Sequence, residues 1–168
     1  QEGGYVNGIM AAMLTKSKMI GVTAPVEAGD IKPYVEGFVK GVESVDPTIK
    51  ISKTWTGSYS DVALMTEAAK TSIAAGADVL TGESQATVGS IGAAKEAGNV
   101  LWFGTQFDQS SLAPNLIVAC QSYVWDNMLK EMIAGREKGV LGGVSYTLTF
   151  ANGGLKMSFN PQFNLPPE

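Results

Sequence analysis

The chain has 168 residues and a mass of 17.6 kDa, with 45% hydrophobic and 17% charged residues. That composition rules out intrinsic disorder and leaves enough apolar surface for a substantial core. The net charge is −4, the pI is near 4.9 and there is no basic stripe, which argues against nucleic acid and anionic membrane surfaces as partners.

The absence of His and the single Cys remove the usual general base, the Cys/His dyad, zinc sites and any intrachain disulfide. No cofactor-binding motif takes their place. No apolar run reaches the length of a membrane span. The chain opens at Gln1, with neither Met nor a leader, so a processed or truncated product is expected.

Tyr5, Ile9, Met10, Met13 and Leu14 recur at helical spacing, and the spacing predicts a first helix over about 4–16. Lys18 to Thr23 reads as a short apolar strand. A loop through Pro25 and Gly29 follows, then a helix opening at Asp30 as N-cap, with Pro33 tolerated in its first turn. Tyr34, Phe38, Val42 and Val45 share a face, and Asp46-Pro47 ends the helix.

Ile49 to Trp55 alternates as a second strand. Ser60 is the expected N-cap of a helix through Ala75. Asp78 to Leu80 is the third strand, and an Ala/Gly-rich helix ends near Gly98. Val100 to Gly104 is the fourth strand, and Leu116 to Cys120 is a candidate fifth, with Cys120 a small buried hydrophobe. Repeated strand, polar loop and helix predict an α/β fold with a parallel sheet flanked by helices, its ligand edge lying after the strands. A helix over about 124–137 comes next. Val144 to Phe150 and Leu155 to Phe159 alternate around Asn152-Gly153-Gly154, the pattern of an antiparallel β-hairpin, and the tail from Asn160 carries three prolines and is expected to be extended.

Neither a Walker-type phosphate loop nor a dinucleotide fingerprint occurs, and a G-x-S-x-G elbow is missing. Glu83 and Asp108 form a conceivable carboxylate pair, but glycosidase-like chemistry depends on a separation that sequence does not give. Aromatic and amide side chains dominate the ligand-edge loops: Tyr59, Gln85, Gln106, Phe107, Tyr123 and Trp125. Such groups hold a flat polar molecule by stacking and hydrogen bonds without reacting with it. For Phe107 and Trp125 the favoured reading is packing. For Tyr59 and Gln106 it is ligand contact, because each lies in a polar loop directly after a strand.

Several segments together resemble the basic membrane protein (Bmp) family of extracytoplasmic substrate-binding lipoproteins, which includes purine nucleoside receptors. They are Gly4-Tyr5 through Leu14-Thr15-Lys16, Gly37-Phe38-Val39-Lys40-Gly41-Val42, Trp55-Thr56-Gly57-Ser58-Tyr59-Ser60-Asp61 and Gly76-Ala77-Asp78-Val79. The series continues with Ala93-Ala94-Lys95-Glu96-Ala97-Gly98, Phe103-Gly104 with Asp108-Gln109, and Leu112-Ala113-Pro114.

The resemblance implies a type I periplasmic-binding-protein fold, two α/β lobes with ligand clamped between them. The chain then corresponds to the C-terminal two-thirds, with residues 1–115 as the second lobe and 116–168 as crossover, helix and hairpin completing the first. It further implies a non-catalytic component of an ABC importer, lipid-anchored or periplasmic, with a permease as partner. By family position, Tyr59 matches the aromatic that stacks on the base. A glycine of the nucleoside receptors falls at Gln85, the ribose-gripping aspartate at Gln106 and a lysine near Tyr123. A second acidic position is kept as Asp108. Loss of two charged sugar contacts makes a free base or another flat heteroaromatic the expected ligand. A sensory or regulatory domain of the same fold is the alternative, and an α/β enzyme a third. If the other lobe is absent, the chain is expected either to self-associate through residues 124–159 or to be half of a cleaved protein.

Overall fold

The computed structural model describes residues 1–165. Its elements are α1 (Glu2–Leu14), β1 (Met19–Ala24), α2 (Ile31–Val45), β2 (Lys50–Trp55), α3 (Val62–Ala74), β3 (Val79–Gly82), α4 (Thr87–Ala97), β4 (Leu101–Gly104), β5 (Ile117–Tyr123), α5 (Asp126–Glu137) and β6 (Leu155–Phe159). They form one six-stranded sheet in the order β2-β1-β3-β4-β5-β6. The first five strands are parallel and β6 runs antiparallel to β5.

Period-two alternation divides each central strand between two cores. Val79, Phe103 and Ala119 pack with Tyr34, Phe38 and Val42 of α2 and Ala11 of α1. Their neighbours Leu80, Trp102 and Cys120 pack on the opposite face with Ala69 of α3 and Ile91 and Ala94 of α4. Burial on both faces is why these strands are so uniformly apolar.

Helices α1 and α2 run parallel at very close range. A Cβ on Gly4 would strike the Tyr34 carbonyl, one on Gly8 the Phe38 carbonyl, and one on Gly41 the Tyr5 carbonyl. Glycine at these positions lets the two backbones touch. Both helices therefore begin at the edge where the parallel strands end.

Three local expectations are corrected. Asp61, not Ser60, caps α3, its side chain accepting from the Leu64 amide at 3.0 Å. Asp30 occupies the N-cap position of α2 but makes no capping bond with its side chain. The expected hairpin does not form: no strand covers 144–150, and Leu155–Phe159 pairs instead with β5. The Asn152 side chain takes part of the turn's backbone. Its Oδ1 accepts from the Thr149 and Gly154 amides, and its Nδ2 donates to the Thr147 carbonyl at 2.6 Å. Those backbone groups are then unavailable to a ladder. β6 satisfies the otherwise open edge of β5. The expected boundary at 115 falls just ahead of β5, and β5 and β6 continue the sheet of β1–β4. Two of the tail's three prolines, Pro166 and Pro167, lie outside the described residues.

Candidate functional site at the carboxyl edge of the sheet

Strand order reverses between β1 and β3, where the chain first winds outward to β2 and then back through β3 to β5. Loops leaving the carboxyl ends of strands diverge at such a point and open a crevice. Here the loops are 25–30, after β1, and 83–86, after β3.

Glu83 immediately follows β3 and is 1% exposed. Its Oε1 accepts from Gln106 Nε2 at 3.3 Å and from the Tyr123 hydroxyl at 3.1 Å. Its Oε2 is buried without a donor. Burial, then the neighbouring Asp30 carboxylate, push its pKa up to about 7, against the bonds from Gln106 and Tyr123, which favour the ionised form. Burial, then the Glu83 charge, likewise raise the Tyr123 phenol above its ordinary value.

Behind Glu83 a second network ties helices to strands. Asn7 Nδ2 donates to the Tyr34 hydroxyl and to the Gly104 carbonyl, each at 3.0 Å. Tyr34 Oη lies 2.9 Å from Thr81 Oγ1, which donates to the Phe103 carbonyl at 2.8 Å. Gln121 Nε2 donates to Thr105 Oγ1 at 3.0 Å. A cavity of about 430 Å3 opens beside this framework between Asp30 and Tyr34 on one side and Tyr123, Trp125 and Leu148 on the other.

The five residues expected from sequence separate into two groups. Gln106 and Tyr123 are half-buried and converge on Glu83. Gln106 has φ +77°, a left-handed conformation rare outside glycine, and its carbonyl accepts from the Tyr123 amide at 3.1 Å. Tyr59 is half-exposed in the loop after β2, and its carbonyl accepts from Ser84 Oγ at 2.7 Å, joining that loop to the one after β3. Gln85 is exposed beside it.

Asp108 is also exposed, but its carboxylate is occupied locally, accepting from the Ser110 amide at 2.9 Å and hydroxyl at 2.6 Å. Those bonds hold its pKa below the usual range. It makes no hydrogen bond to Glu83. Phe107 and Trp125, both expected to pack, are both exposed, although Trp125 stacks edge-on against Tyr123 with ring centres 5.3 Å apart.

Sequence reasoning named Glu83 only as a partner for Asp108. The available signal was its position, a carboxylate directly after a strand buried on both faces. Among the described residues no cluster of three or more His, Cys, Asp or Glu is placed to hold a metal ion, and no helix is long and apolar enough to cross a membrane.

A doubly wound sheet with polar and aromatic groups at its switch-point edge defines a ligand-binding α/β unit. The comparisons narrow the class: residues 1–165 match the model of the Bmp family, described as ABC transporter substrate-binding protein PnrA-like, and the chain belongs to that family. It is 34% identical over 122 residues to basic membrane protein A2 of Borrelia garinii subsp. bavariensis, covering 70% of this chain and 36% of that protein. It is 30% identical over 114 residues to a purine-binding protein of Brucella abortus, covering 68% and 32%. The matched stretch thus spans about a third of these relatives.

Two solved structures share the fold. An ABC transporter solute-binding protein from Aeropyrum pernix has a TM-score of 0.77 at 23% identity, over 94% of this chain and 47% of that one. A transcriptional activator of the comK gene from Bacillus halodurans has a TM-score of 0.81 at 22% identity, over 95% and 56%.

Proposed function

We propose that the chain is a solute-binding lobe of an ABC importer and that it takes a purine-type base, nucleoside or similar heteroaromatic without turning it over. The observation that carries this reading is the switch-point edge, where Gln106 and Tyr123 stand half-buried against a buried carboxylate and Tyr59 is exposed in a neighbouring loop. Tyr59 supplies a stacking face, and Gln106, Gln85 and Tyr123 read polar edges. Asp108 shapes the loop that carries Gln106. Membership in a substrate-binding family supports the same assignment.

In this reading residues 1–123 and 155–163 form one lobe, and 124–154 reach toward a second lobe that closes over the ligand. The expected division at 115 is thereby moved to the end of β5, because β5 and β6 are part of the same sheet. The whole protein works outside the cytoplasm, lipid-anchored or periplasmic, and delivers ligand to a permease. A sensory domain is the second reading, favoured by the fold shared with a transcriptional activator.

Calorimetry on a protein carrying both lobes tests the site. Tyr59→Ala is expected to weaken binding by roughly 1.5 to 3 kcal/mol, about 10- to 100-fold. Free purine is expected to bind at least as tightly as its nucleoside. An unchanged affinity in Tyr59→Ala would refute the stacking role, and a nucleoside preference above about tenfold would refute the ligand.

A further inference from the structure

Resting on that reading of the edge, we propose that Glu83 is a positioning residue that fixes which hydrogen-bonding groups Gln106 and Tyr123 show to the ligand, selecting a heterocycle that brings N–H donors. A phenol has one proton to give, and the Tyr123 hydroxyl gives it to Glu83 Oε1 at 3.1 Å. What remains on that oxygen is lone-pair density. A primary amide has two N–H bonds and one carbonyl, and Gln106 commits an N–H to the same Oε1 at 3.3 Å. Its carbonyl is thereby turned away from Glu83. Asp30, exposed at the cavity beside Tyr123, adds a carboxylate.

The groups not committed to Glu83 are therefore rich in acceptors: the Gln106 side-chain carbonyl, the Tyr123 oxygen and the Asp30 carboxylate, against one remaining Gln106 N–H. A ligand edge made only of ring nitrogens would leave these acceptors facing acceptors, and unpaired polar groups in a closed site are costly. An edge with a ring N–H beside an exocyclic amino group matches them. Glu83 itself is too buried to be the contact, so its influence passes through the two side chains that it orients.

The test compares Glu83→Leu and Glu83→Gln, using guanine, which carries ring N–H and amino donors, and unsubstituted purine, which has neither on its six-membered ring. In Glu83→Gln the amide oxygen still accepts from Gln106 and Tyr123 while its nitrogen faces Asp30, so the guanine preference of the wild type is expected to persist. In Glu83→Leu the Tyr123 hydroxyl and Gln106 amide are released to donate outward, and the preference is expected to fall by about tenfold or more. Equal preference in wild type and Glu83→Leu, both folded by circular dichroism, would overturn the proposal.

A second readout needs no ligand. The Cζ nuclear magnetic resonance of Tyr123, assigned by its loss in Tyr123→Phe, reports whether the hydroxyl donates. It is expected to shift in Glu83→Leu and to stay close to wild type in Glu83→Gln, and an unmoved resonance in Glu83→Leu also overturns the positioning role. If the wild type binds no purine at all, the purine assignment fails, and this resonance alone decides the role of Glu83.

Discussion

Helices α2 and α5 both carry apolar side chains at helical spacing, more strongly segregated in α2, and meet opposite fates. Of the 15 residues of α2, seven are buried, among them Tyr34, Phe38 and Val42, locked between α1 and the sheet. None of the 12 residues of α5 is buried, and Leu129, Met132 and Ile133 remain exposed. An amphipathic stripe states that a helix needs a partner and leaves open whether the partner is present. The sheet with α1–α4 is a self-sufficient body. The 124–154 region, tied to it at the end of β5 and the start of β6, displays a surface that would suit another lobe or another copy.

The sharpest way to break that contrast is to damage each region in turn. Trp102 is fully buried beneath α3 and α4, and Trp102→Ala is expected to cost about 3 to 5 kcal/mol in urea unfolding. Ile133→Asp on α5 is expected to change stability by less than about 0.5 kcal/mol while shifting the chain toward monomer in light scattering. A cooperative loss of stability in Ile133→Asp would show that α5 belongs to the folded core after all.

The sheet edge offers a test by pH. The pKa of Glu83 is raised from 4.5 to about 7, so between those values the native state holds a proton that the unfolded state has released. Unfolding free energy should fall as pH rises across that window, by about 3 kcal/mol in total, and level off above it. The charged neighbour acting most strongly on Glu83 is Asp30, so the effect is local to the edge. Subtracting the profile of Glu83→Gln isolates it, and a difference curve that is flat from pH 4 to 8 would contradict the burial and pairing described. A smaller effect than that of Glu83 is expected at the α3 cap, where Asp61→Ala should cost about 1 kcal/mol in thermal unfolding and Ser60→Ala almost nothing.

The parallel sheet was readable because β1, β3, β4 and β5 are buried on both faces and therefore print as apolar runs between polar loops. Helix α2 printed its own start and stop. The end of the chain was misread because alternation in Val144–Phe150 and Leu155–Phe159 is genuine but does not name a strand's partner. The Asn152 side chain occupies three backbone groups at the turn, and the cross-turn backbone bond runs from the Leu155 amide to the Thr149 carbonyl. Tyr59 and Gln106 could be named as candidates because each lies in a polar loop after a strand, and Tyr123 because it was read in a ligand-edge loop, although it is the last residue of β5. The grouping of Gln106 and Tyr123 around Glu83 was not, because it joins loops 23 and 40 residues apart in sequence, and only the strand order brings those loops together.

The left-handed backbone of Gln106 sets local stability against side-chain contact at this edge. Gln106→Gly would relieve about 1 to 2 kcal/mol of conformational strain, offset in part by roughly 0.5 to 1 kcal/mol for the freer unfolded chain. It would also erase the amide that answers Glu83. Backbone ease and the Glu83 contact therefore pull this one position in opposite directions: the residue that suits the turn best cannot make the bond.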